Sequence, residues 1–253
     1  MGFVEANGIR LHYQRQPHTS TDRPTVVCLH GLADTLAGFY FTLVGPLAQA
    51  GFDVITYDLR GHGRSDQPTS GYTIGDHLDD LTGLLDELGV TGPLHVLGFS
   101  FGGTLAFSFA ERFPARMLTL TVIESEPPTK AWARRTSAGF GKLDTVLLDE
   151  VFVRAQPRVL RRMAQSIMTA GETSVAVDTV APEWLISSDE IRKITCPVHL
   201  VVGGDSELSR HTEEFVPLLP DVTVNIVPGE EHMVLTSSPR EVAALVVPWL
   251  AAR

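Results

Sequence analysis

Apolar and polar positions alternate over residues 3–5 and again over Ile9–Gln16, with Asn7-Gly8 between them. Alternation with a period of two predicts half-buried strands, and an Asn-Gly pair is a strong signal for a hairpin turn. The pattern then changes to short, mostly apolar runs. Thr25–Leu29 has the length and content of a strand buried in a parallel sheet, and Asp53–Tyr57, 94–97, Met117–Ile123, 198–202 and Val222–Val227 read as further strands. Between them lie segments with helical spacing. Over 73–88, Ile74, Leu78, Leu81, Leu84, Leu85 and Leu88 share one side, and Gly89 ends the run. Further helices are predicted over 39–50, stopped by Gly51, over 104–113, stopped by Pro114, near 209–219, and over 239–251.

Strands alternating with helices predict an α/β fold, a doubly wound, mostly parallel, eight-stranded sheet. Residues 125–190 break the rhythm. They contain no strong strand, and helical stretches are expected near 143–154 and 158–170. The expected organisation is a core formed by 1–124 and 191–253, with 125–190 inserted as a helical lid.

Composition narrows the setting. The chain has 253 residues, 43% of them hydrophobic and 20% charged, which suits one domain with a sizeable core. No run approaches the roughly 18 apolar residues of a membrane span, and no basic segment leads into an apolar one as in a secretory signal. Met1-Gly2 begins a myristoylation pattern that fails at Ala6. Cys28 and Cys196 fall in separate apolar strands, so buried free thiols and a cytoplasmic, reducing compartment are expected. A net charge of −10 argues against nucleic acid as a partner.

The chemistry centres on Gly98-Phe99-Ser100-Phe101-Gly102, which fits the G-x-S-x-G pattern of a nucleophile elbow between a strand and a helix. A serine hydroxyl is a weak nucleophile at neutral pH and needs a base. Of the nine histidines, His232 follows the last strand and should emerge at the same carboxyl edge of the sheet as Ser100. His77, His95, His199 and His211 have no comparable placement, and His12 and His18 belong to early, distal elements. A carboxylate must orient the base. Asp205, after the penultimate strand, is favoured; Glu124, after the sixth, and Glu207 are the alternatives. The backbone N–H groups of Phe101 and Leu32 are the candidate oxyanion donors. His30 is expected to hold the Leu32 loop rather than to transfer protons. Arg60-Gly61-His62-Gly63 lacks the Lys-Ser/Thr of a phosphate loop and is expected to be a turn packed near the site. Neither HExxH nor CxxC occurs, so zinc has no support.

Four stretches in this order, His30-Gly31, Asp58-Leu59-Arg60-Gly61-His62-Gly63-Arg64-Ser65, Gly98 to Gly103 and Gly229-Glu230-Glu231-His232, give a chain that resembles the α/β-hydrolase superfamily in the branch with a lid after strand six. The resemblance covers the whole chain. It implies Ser100 as nucleophile, His232 as base, and Leu32 and Phe101 as oxyanion donors. Ser100 stands where haloalkane dehalogenases and soluble epoxide hydrolases carry aspartate, so those branches are excluded. One departure concerns the acid. Relatives commonly show Gly-x-x-Asp after strand seven, and from Gly203 that spacing reaches Ser206, one residue past Asp205.

The expected activity is a serine hydrolase acting through an acyl-enzyme on an ester, lactone or thioester, without a cofactor. Acyl transfer from a carrier-protein or coenzyme A thioester, carbon–carbon bond hydrolysis, and non-catalytic small-molecule binding are the alternatives. Eight Lys and Arg against three acids give residues 130–162 a charge of +5, leaving −15 for the rest. A basic lid bearing Arg158, Arg161 and Arg162 would suit docking of an anionic acyl carrier.

Overall fold

A computed structural model describes residues 1–17, 24–32, 34–140 and 173–253. Its eight strands are β1 (Gly2–Ala6), β2 (Ile9–Gln16), β3 (Thr25–Leu29), β4 (Asp53–Tyr57), β5 (Leu94–Phe99), β6 (Met117–Ile123), β7 (Val198–Gly203) and β8 (Val222–Val227). They form one sheet in the order β1-β2-β4-β3-β5-β6-β7-β8. The β1–β2 hairpin turns at Asn7-Gly8 and pairs antiparallel with β4, and all later neighbours are parallel. This is the doubly wound sheet expected from the alternation of apolar runs and helical segments.

Because side chains alternate across a strand, each central strand feeds two cores. In β3, Val27 and Leu29 face one side and Val26 and Cys28 the other. The first side is covered by α3 (Ile74–Glu87) and α4 (Phe101–Arg112), through Leu78, Leu81, Leu85, Leu105 and Phe109. The second is covered by α1 (Ala37–Phe39) and α2 (Gly45–Gln49), which form one helical run, and by the helix Pro239–Ala251, through Phe39, Leu43, Leu47, Val242 and Val246. The α1–α2 run is helical as expected, but with a π-helical stretch, Tyr40–Val44, in its middle. Helix α3 starts with a capping box. The Thr73 hydroxyl accepts from Asp76 N–H at 3.1 Å, and the Asp76 carboxylate accepts from Thr73 N–H at 2.9 Å.

The chain leaves β6 through Glu124–Pro128 and enters α5 (Lys130–Phe140). The described chain resumes with short helical turns at Val175–Asp178, Pro182–Trp184 and Ser188–Ile191. Asp178 accepts from Gly71 N–H at 3.2 Å and Tyr72 N–H at 2.9 Å, which ties this return to the loop before α3. Trp184 lies so close to α3 that a Cβ on Gly75 would sit 1.9 Å from its ring. The helices expected near 143–154 and 158–170 lie outside the described residues, as do Arg158, Arg161 and Arg162. Among the described residues no helix is long and apolar enough to cross a membrane.

Candidate active site

Strand β5 ends at Phe99 and α4 begins at Phe101, so Ser100 alone makes the turn. Its φ of +52° is costly for a residue with a Cβ, on the order of 1–3 kcal/mol. The turn is held by its own backbone. Ser100 N–H donates to the Ile123 carbonyl at 3.0 Å, and the Ser100 carbonyl accepts from Gly103 N–H at 2.8 Å. The flanking glycines are demanded by space. A Cβ on Gly98 would lie 2.3 Å from the Gly102 carbonyl oxygen, and one on Gly102 would lie 2.0 Å from that of Leu29.

His232 lies five residues past the end of β8 and reaches Ser100. Its Nε2 is 3.0 Å from Ser100 Oγ, and its Nδ1 is 3.1 Å from Glu124 Oε2. An ionised carboxylate only accepts, so Nδ1 carries the ring proton and Nε2 is left to accept from the serine hydroxyl. The Phe99 ring stacks on the imidazole, with centroids 5.5 Å apart.

Asp205, favoured for this place from the sequence, does not reach His232; the carboxylate hydrogen-bonded to its ring is that of Glu124. Asp205 is exposed, and its side chain hydrogen-bonds none of the described residues; only its backbone N–H is held, by the Glu230 carbonyl at 3.0 Å. Glu207 is exposed too. Glu124 is fully buried. Its N–H continues the β6–β7 ladder to the Val201 carbonyl at 2.9 Å, and its φ of +51° then turns the chain out of the strand. The carboxylate is held by Gly203 N–H on Oε1 and by the Ser206 hydroxyl, at 2.7 Å, on Oε2. Ser206, which the Gly-x-x-Asp spacing reaches, therefore faces the site, while Asp205 beside it faces outward.

The loop after β3 passes directly over the elbow: a Cβ on Gly31 would lie 3.0 Å from Ser100 Cβ. His30 fixes this loop. Leu59 N–H donates to His30 Nε2 at 3.0 Å, so the proton sits on Nδ1, which donates to the Gly31 carbonyl at 2.8 Å. In a trans peptide the C=O and the following N–H point in opposite directions. Anchoring the Gly31 carbonyl on His30 therefore aims the Leu32 N–H away from that ring. Burial holds the His30 imidazole neutral by lowering its pKa, against the opposing pull of the Gly31 carbonyl and Asp58. Phe101 N–H, at the first turn of α4, has no partner inside its helix.

The Asp58–Ser65 stretch is a buried turn rather than a phosphate loop. Asp58 accepts from Leu36 N–H at 2.9 Å and Arg64 N–H at 3.0 Å, and its Oδ2 lies 2.7 Å from His12 Nδ1. His12, on the early strand β2, is buried against this turn and makes no contact with Ser100 or His232 among the described residues. Arg60 forks onto Asp80 of α3, with Nε 2.7 Å and Nη2 2.5 Å from its two oxygens. His62 is pushed down to about 4, chiefly by burial. His77 lies edge-on to Phe101, centroids 5.3 Å apart, and the sequence carried no sign of that contact. His211 approaches Glu126 at 3.6 Å, beside the ion pairs by which Arg135 joins α5 to Glu126 of the loop after β6 and to Glu214 of the helix Leu208–Phe215.

The family described as alpha/beta hydrolase fold matches residues 24–170, more than half of the chain. The chain belongs to that family. It is 26% identical over 243 residues to a 2-(acetamidomethylene)succinate hydrolase of Mesorhizobium japonicum, spanning 85% of this chain and 84% of the relative. Among solved structures it resembles a hydrolase of Pseudomonas aeruginosa PA01 with a TM-score of 0.80 at 20% identity, over 98% of this chain and 97% of the other. It also resembles the enol-lactonase of Burkholderia xenovorans LB400, with a TM-score of 0.77 at 20% identity over 98% and 99% of the two chains. At such identities these structures speak for the fold.

Proposed function

We propose that the protein is a serine hydrolase that works through an acyl-enzyme on an ester, lactone or thioester. The observation that carries this reading is the continuous chain from Ser100 Oγ to His232 Nε2, 3.0 Å, and from His232 Nδ1 to Glu124 Oε2, 3.1 Å. Ser100 Oγ attacks the carbonyl carbon as His232 Nε2 takes its proton. Glu124 keeps the ring in this tautomer and stabilises the imidazolium. The Phe101 and Leu32 N–H groups receive the developing oxyanion. His232 then returns the proton to the leaving oxygen or sulfur, and the carbonyl reforms as an acyl-Ser100 ester. Water repeats the sequence and frees the serine. The relative named as a 2-(acetamidomethylene)succinate hydrolase supports hydrolysis, with water as the acceptor.

Labelling with a fluorophosphonate probe tests the assignment. The expected result is one adduct, on Ser100, absent in Ser100→Ala, together with p-nitrophenyl acetate turnover that the same substitution removes. Folded protein that forms no adduct and turns over no ester would overturn it.

A further inference from the structure

We infer that Ser206 is a positioning residue of this site: with Gly203 N–H it forms a two-donor seat that fixes the Glu124 carboxylate as the partner of His232. The inference rests on the proposed role of Glu124 and concerns what makes a glutamate serviceable there.

A glutamate reaches its carboxylate through three rotatable bonds, one more than aspartate. Fully buried, the Glu124 carboxylate has lost water and must be satisfied by protein donors. Gly203 N–H serves Oε1. A carboxylate held at one oxygen still pivots about that contact, so a single donor does not set where Oε2 points. Ser206 supplies the second restraint, 2.7 Å from Oε2, and this is the same oxygen that lies 3.1 Å from His232 Nδ1.

The Ser206 hydroxyl is itself directed. Leu208 N–H donates to Ser206 Oγ at 3.2 Å, which occupies one lone pair and leaves the hydroxyl proton for Glu124. Ser206 N–H is tied to the Gly203 carbonyl at 3.2 Å, so both donors of the seat belong to one tight turn after β7. Ser206 is 7% exposed, and water has little room to replace its hydroxyl. The side chain at 206 thus already touches the oxygen that orients the base. A carboxylate in its place would fall near the same point once that of Glu124 is gone.

The test uses p-nitrophenyl acetate as probe, with the fold checked by circular dichroism and thermal melting. Ser206→Ala is expected to lower kcat about tenfold, with KM within about twofold, because a hydrogen bond to a charged group is lost behind the base and not in the binding pocket. In a Glu124→Ala background, adding Ser206→Asp is expected to recover at least about tenfold of the lost kcat. A purely structural serine would not produce that recovery. Wild-type kcat in folded Ser206→Ala overturns the inference. Should Ser206→Ala fail to fold, the double variant decides, and no recovery there overturns it. Glu124→Ala alone separates the two levels. If it keeps full activity, the proposed acid falls; if it is inactive while Ser206→Ala is unimpaired, only the role of Ser206 falls.

Discussion

The backbone N–H of Ser100 donates to the carbonyl of Ile123 at 3.0 Å, so the elbow serine is pinned to the residue that immediately precedes Glu124. Both Ser100 and Glu124 adopt positive φ, +52° and +51°, and each leaves its strand at the same edge of the β5–β6 pair. Two strained turns on adjacent strands thus share one hydrogen bond. Their spacing is set by sheet register and owes nothing to a flexible loop.

Strain at Ser100 predicts a trade between stability and activity. Ser100→Gly should raise the melting temperature, because glycine adopts this φ freely and the relief of about 1–3 kcal/mol exceeds its added unfolded-state entropy of roughly 0.5–1 kcal/mol. Ester turnover should fall by several orders of magnitude, on the order of 10⁶ by analogy with a serine protease lacking its nucleophile. Thermal melts and p-nitrophenyl acetate kinetics on the same preparation check both.

The two candidate acids are separated by neutral isosteres. Glu124→Gln should cut kcat by on the order of 10⁴, since an amide in that seat no longer favours the Nδ1–H tautomer or stabilises the imidazolium. Asp205→Asn should stay within about twofold of wild type. Comparable losses in the two variants would remove Glu124 from its assigned place.

His30 is expected to act on kcat through the loop it holds. His30→Leu removes the anchor on the Gly31 carbonyl and the acceptor for Leu59 N–H. Misplacing one oxyanion donor costs on the order of 10²–10³ in kcat. Fluorophosphonate labelling should slow as well, because the phosphonyl oxygen uses the same donors. Unchanged labelling and turnover in folded His30→Leu would detach His30 from the oxyanion loop.

Stability should decline on acidification before the carboxylates titrate. His30, His62, His77, His95 and His199 all have lowered pKa values, with burial as the leading cause, and His62 and His95 fall to about 4. Between about pH 6.5 and 4 the unfolded chain binds protons that the folded chain refuses, so stability is full above that window and is lost as pH falls through it. His62 and His95 each contribute a slope approaching about 1.4 kcal/mol per pH unit near the middle of the window, and the other three add to it in the same direction. Urea unfolding from pH 7 to 4.5 measures the slope, and His95→Gln should flatten it by about one histidine's share.

The sheet was readable in the sequence because strands buried on both faces are largely apolar, as β3 to β7 are; β8, at the sheet edge, alternates and is half exposed. Ser100 was readable because the elbow admits no side chain at Gly98 or Gly102. Which carboxylate would face His232 was not readable. Glu124 and Asp205 both follow strands that end at the same edge, and nothing in residue type states which way a turn directs its next side chain. That was decided by the positive φ at Glu124 and by a turn after Gly203 that faces Ser206 inward and Asp205 outward. The contact between His77 and Phe101 was hidden for a similar reason, since helical spacing gives a face but not the neighbour across it.

The turn from Asp58 to Asp66 carries a consequence for the opposite end of the sheet. Asp58 N–H and Ser65 Oγ bond the backbone of His12, and Asp66 bonds that of Arg10, each at 2.9 Å. The same turn supports Leu36 through Asp58 and His30 through Leu59 N–H. The amino-terminal hairpin lies away from Ser100, yet it serves as the footing on which the loop over Ser100 stands. Substitutions in β1 and β2 would therefore shift the loop over Ser100 from afar, and a chain that lost its first sixteen residues would keep the elbow while losing the support of the proposed oxyanion donor Leu32.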